Sequence, residues 1–149
     1  MNNGEGKRRL AKEEQKIVKQ LGESRIVVAD SAAAMDESNR NDIFVDGSHC
    51  GINVGEIALH SGVRGMIGND AGLGKNEAGV AGLKLLEKHG IPAAAVSCMS
   101  AKIGSGMSTY EQGRISVANE VAKKLGVRVG MSAKEAADKM LESLLPKTK

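Results

Sequence analysis

Short apolar runs without polar alternation recur in this sequence, at Arg25–Ala29, Asp42–Val45, Val63–Ile67 and Pro92–Val96, with helix-like segments between them. A strand that is apolar on both sides must be covered on both sides, which is the situation of a parallel strand in an α/β sheet. The fold class expected is therefore a three-layer α/β/α sandwich. Its sheet is expected to be mainly parallel, with four to five strands, in the Rossmann or flavodoxin-like class. At 149 residues the chain fits a single domain, 1–149, with 1–7 and 146–149 expected to be flexible. One Tyr, one Phe and no Trp mean that the core is built from aliphatic residues and that nineteen glycines allow close packing.

The helical segments are read from spacing and stop signals. Arg8–Leu21 places Leu10, Ile17, Val18 and Leu21 on one face, and Gly22 ends it. Ala32–Met35 reads as a helical turn, Ile52–Ser61 as a helix, and Asn76–His89 as another. Ser108 and Glu111 form a capping-box pattern ahead of a helix carrying Ile115, Ala118, Val121, Ala122 and Leu125. Val127–Gly130 is expected as a short last strand, and Ser132 with Glu135 opens a final helix bearing Ala136, Met140, Leu141 and Leu144.

Composition excludes several classes. The net charge of +3 is too small to indicate a polyanionic partner, and the near absence of aromatic residues removes the stacking faces of single-strand nucleic-acid binders. The basic residues Lys7, Arg8, Arg9, Lys12, Lys16 and Lys19 are interrupted by Glu13 and Glu14, as on a solvated helix face. No apolar stretch approaches the roughly 20 residues of a membrane span. No nucleic-acid or membrane partner is expected. With no signal-type apolar segment at the start and only Cys50 and Cys98, a reducing cytoplasm is the expected location. Small apolar helix faces suggest a homo-oligomer.

The polar residues gather where the strands end. Asp30 and Ser31 follow the first run, Asp46–Gly51 the second, Asn69–Lys75 the third and Ser97–Gly106 the fourth. In a parallel sheet all four clusters share the carboxyl edge, where α/β proteins bind ligands. Two of them have the same form, Gly47-Ser48-His49-Cys50-Gly51 and Gly68-Asn69-Asp70-Ala71-Gly72. Their central residues, His49 and Asp70, suit acid–base chemistry, the carboxylate fixing the imidazole tautomer. Asp46 and Asp30 are rival partners for His49. Cys98 is a candidate nucleophile from a neighbouring strand end. Ser31, Ser48, Asn69 and Ser100 are candidate substrate contacts. The amides at Gly51, Gly72 and Gly74, with Lys75 and Lys102, are candidate holders of an anionic group. The loop Ile103–Met107 could cover the edge. Gly68 to Lys75 has the wrong spacing for a P-loop, and no Gly-x-Gly-x-x-Gly follows the first strand, so neither a nucleoside triphosphate nor a dinucleotide is called for. No cofactor is predicted, although His49 with Asp70, Asp46 and Asp30 could hold a divalent metal.

Gly47–Gly51 resembles the Ser-His-Gly strand end of caspase-type cysteine peptidases, which place a cysteine nucleophile at the end of the next strand. Here that place is occupied by Asn69–Gly72, without cysteine, so peptidase activity is not implied. The functional expectation is a small-molecule enzyme performing hydrolysis or group transfer on an anionic substrate. The alternative is a non-catalytic ligand-binding or assembly domain.

Overall fold

The computed structural model describes residues 15–146. Six strands form one mixed sheet in sequential order: β1 Lys16–Leu21, β2 Ser24–Ala29, β3 Ile43–His49, β4 Gly65–Asn69, β5 Ala93–Val96 and β6 Ile115–Ala118. The neighbouring pairs from β2 to β5 are parallel, while β1 and β6 pair antiparallel at the two edges. Five helices accompany it: α1 Ile52–Ser61, α2 Ala81–Lys88, α3 Gly106–Gln112, α4 Glu120–Lys124 and α5 Ala133–Glu142.

Alternate residues of the central strands feed two separate cores. Val27, Phe44, Met66 and Ala95 pack with Val54 and Ala58 of α1 and with Leu83 and Leu86 of α2. Ile26, Val45, Ile67 and Val96 pack with Tyr110 of α3 and with Ala136, Ala137, Met140 and Leu141 of α5. The sheet is thus covered on both faces, which explains why its strands lack polar alternation. The strand order differs from the expected class. Rossmann and flavodoxin sheets reverse direction at a switch point, whereas here each strand is laid beside the preceding one.

The end regions correct three expectations. Lys16–Leu21, read as the end of a helix, is edge strand β1. Ile17 and Val18 do fit a helical stripe, but the segment pairs with β2, Ile17 opposite Val27 and Val18 at a bulge in the register. The earlier part of that segment and the expected loose ends at 1–7 and 146–149 lie outside the described residues, Pro146 excepted. The helix expected over Ile115–Leu125 is strand β6 followed by α4, with Asn119 between them accepting from the Ala122 amide as an N-cap. Val127–Gly130 is no strand: Val127 and Arg128 are irregular and Val129–Gly130 lie in a turn. The helix expected from Asn76 starts in earnest at Ala81, because Asn76 and Glu77 sit at φ +54° and +60°, outside helical geometry. By contrast α1 and the Ser132-capped α5 occupy their expected places. Among the described residues no helix is long and apolar enough to cross a membrane.

Candidate functional site

The parallel strands β2 to β5 bring Asp30, His49, Asp70 and Cys98 to one end of the sheet. They do not assemble as a His–Asp dyad. His49 is paired in register with Asn69, not with Asp70, because β3 bulges over Asp46–Ser48 opposite β4. A one-residue offset exchanges sheet faces, so the two matching turns present their central residues differently.

His49 is exposed, and its ring Nδ1 accepts from the Gly51 amide at 3.0 Å. An accepting Nδ1 puts the proton of the neutral ring on Nε2. The tautomer is therefore set by a backbone amide, and a carboxylate has no part in it.

Asp70 is 6% exposed and heavily engaged. Its Oδ1 accepts from the Gly72 and Cys98 amides at 2.8 and 3.1 Å, and its Oδ2 from the Ser116 hydroxyl at 2.7 Å. Burial pushes this carboxyl up, but the Ser116 hydroxyl, the Gly72 and Cys98 amides and the Cys98 thiol outweigh it and hold it below the ordinary aspartate value. Ser116 was not among the residues singled out in the sequence, because its strand read as helix.

Asp46 is completely buried on the opposite side of the β3 backbone from Val45, beside the buried Cys50. Oδ1 accepts from the Ser48 amide at 2.9 Å, whereas Oδ2 is buried with no hydrogen-bond partner among the described residues. Burial pushes the carboxyl well above the usual range against the pull of that one hydrogen bond, and burial with the nearby Asp46 likewise raises the Cys50 thiol. Asp46 is a sealed acid and makes no contact with the imidazole.

The remaining candidates mostly hold the edge together. Asp30 Oδ1 accepts from the Gly106 amide at 3.0 Å, and its carbonyl accepts from Gly47. Ser31 caps the 3₁₀ turn Ala32–Ala34 through the Ala33 amide, and Ser48 Oγ accepts from Ala32. Asn69 accepts from the Ala71 amide and donates to the Ala101 carbonyl at 3.3 Å. Ser100 Oγ donates to Ser97 O and accepts from the Arg114 amide. Cys98 is exposed and free, its thiol turned to the Asp70 carboxylate, a poor neighbour for a thiolate nucleophile. Lys75 and Lys102 are both exposed.

The expected anion cradle is filled by the chain itself. The Gly51 amide serves His49, that of Ala71 serves Asn69, and those of Gly72 and Leu73 serve Asp70. Of the four framing glycines only Gly72 needs a left-handed backbone, at φ +75°. Gly47 is glycine for another reason: a methyl group there would strike the Ser105 backbone. The loop over Ile103–Met107 is accordingly fastened down, with the Gly104 amide donating to Gly47 O at 2.7 Å and Gly106 to Asp30. Among the described residues no group of three or more His, Cys, Asp and Glu is placed to hold a metal ion.

No protein-family profile, curated protein or solved structure matches the chain.

Proposed function

We propose that the carboxyl edge is a catalytic site acting on a small anionic substrate. On this reading water attacks the substrate, the Nε2–H of the neutral His49 ring steadies the developing oxyanion by hydrogen bonding, the proton lost by the water passes through solvent to the leaving group, and the exposed ammonium groups of Lys75 and Lys102 attract the substrate. The observation that carries the reading is the exposed imidazole whose Nδ1 is held by the Gly51 amide. A ring locked in one tautomer, with its N–H in solvent, is prepared for one role, hydrogen-bond donation to a developing negative charge. Hydrolysis or group transfer at a carbonyl or phosphoryl centre is the chemistry proposed. The setting proposed is a cytoplasmic homo-oligomer with a mainly parallel, three-layer sandwich.

The test uses p-nitrophenyl acetate and p-nitrophenyl phosphate as probes. His49→Gln is expected to lower turnover by about 100-fold or more with thermal stability unchanged. Retained turnover in that variant would end the proposal. One observation favours the alternative of a non-catalytic binding domain: Asp70, the expected partner of the imidazole, is committed to Gly72, Cys98 and Ser116. Saturable binding of phosphate or acetate by the native chain, with no product from either probe, would decide for that alternative.

A further inference from the structure

The connection from β2 to β3 is unusual for a parallel pair. Such crossovers normally lay a helix on the sheet. Here Asp30–Asp42 makes only two 3₁₀ turns, Ala32–Ala34 and Glu37–Asn39. Among the described residues one flank of α1 has only these 3₁₀ turns beside it and no α-helix, and a cleft of about 1140 Å³ lies between the two elements. Its walls include neither His49 nor Asp70.

The lining has a consistent chemistry. Met35 and Ile57 give it apolar surface, Glu37 and Glu56 bring carboxylates, and among the described residues no Lys or Arg lines it. His60 Nδ1 lies 2.9 Å from the Glu56 carbonyl, which makes Nδ1 the donor and leaves Nε2 of the neutral ring as an acceptor. Ser61 is the independent sign of a ligand. It lines the cleft, is only 3% exposed, and its hydroxyl has no hydrogen-bond partner among the described residues. The residue is buried while its hydroxyl opens onto the cleft, so the group is satisfied by what enters there.

We infer that this cleft binds an organic cation, an alkylammonium or guanidinium group whose N–H donors meet Glu37, Glu56 and the Ser61 hydroxyl while its methylenes lie on Met35 and Ile57. The cation has two possible sources. One is a free polyamine-like molecule. The other is the chain itself, since Gln15 donates to Ala34 O at 2.7 Å and to Asn39 Oδ1 at 3.1 Å, at the cleft border, and Lys7, Arg8, Arg9 and Lys12 precede it in sequence.

The test titrates the full chain with agmatine and with spermidine and follows the imidazole NMR signals, His89 serving as internal control. Native protein and an Arg8→Gln/Arg9→Gln variant are compared. A saturable shift of His60 alone, weakened about tenfold by Glu56→Gln, supports the site, since losing one charge-assisted contact costs about that much. Equal affinity in the two chains identifies a free cation as occupant, and tighter binding by the variant identifies the chain's own arginines. Absence of saturation in both at millimolar probe overturns the proposal. So does a His60 shift that neither Glu56→Gln nor Ser61→Ala alters.

Discussion

After β3, the Gly47–Gly51 turn leaves its central imidazole in solvent with one hydrogen bond to the neighbouring backbone. One strand away, the Gly68–Gly72 turn folds its central carboxylate inward, where amides from two loops and a hydroxyl from β6 converge on it. The two turns have the same glycine frame and opposite roles. Asp70 is a structural knot that ties the ends of β4, β5 and β6 together. Among the described residues His49 hydrogen-bonds only within its own turn, which is what the proposed donation to substrate requires. A shared local pattern therefore predicts a turn, while the register of the neighbouring strands decides which way its side chain faces.

Four experiments would break or sharpen this contrast. Asp70→Ala should have the largest effect, about 3 kcal/mol in urea unfolding at pH 7, because two amides and a hydroxyl lose their acceptor. The contribution of Asp70 has a defined pH window. Its folded carboxyl lies below the ordinary value of about 4, so the stabilisation is present above that pH and is lost as pH falls through the lower folded value. A variant no more sensitive at pH 7 than the native chain would dissolve the knot.

Asp46 supplies the second test with the opposite sign. Its folded carboxyl is raised, so its stability is complete below pH about 4 and declines as pH rises through the folded value. As pH rises from about 4 toward neutrality the native chain should lose stability from this group, because the charged carboxylate is harder to keep buried than the neutral acid. Asp46→Asn should flatten that slope in urea unfolding followed across pH. Ser116→Ala removes one of the donors to Asp70 and should cost about 1 kcal/mol by the same measurement. His49→Gln comes last, with a stability change below about 0.5 kcal/mol, as for an exposed side chain. A larger loss there would make the imidazole a structural element like Asp70.

Much of the central architecture could be read from the sequence. The apolar runs mark β2 to β5, the stop at Gly62 marks the end of α1, and Ser132 with Glu135 marks the start of α5. The edge strands escaped because their patterns fit two periods at once. Ile17, Val18 and Leu21 satisfy a helical face, as do Ile115, Ala118 and Ala122, and only pairing with β2 and β5 settles the matter. Asn119 was the missed signal, an N-cap residue inside what looked like one continuous helix.

At the site, residue types and their gathering at one edge were legible, but partners were not. The bulge at Asp46–Ser48 that sets His49 against Asn69 leaves no mark that periodicity can detect. The cleft beside α1 was equally hidden, since it results from a helix that the β2–β3 connection does not form. Neither Glu56 nor Ser61 stands out in a linear reading.

The unbroken succession of β1 to β6 across the sheet bears on how the polypeptide comes together. Every strand after the first finds its partner already synthesised, so nothing must wait for a distant segment to emerge from the ribosome. Assembly can advance like a fence built post by post, with only the last helices left to close the second face. Such growth keeps loop-closure distances short during synthesis, and it keeps one raw hydrogen-bonding edge in play, handed from each strand to the next as far as β6.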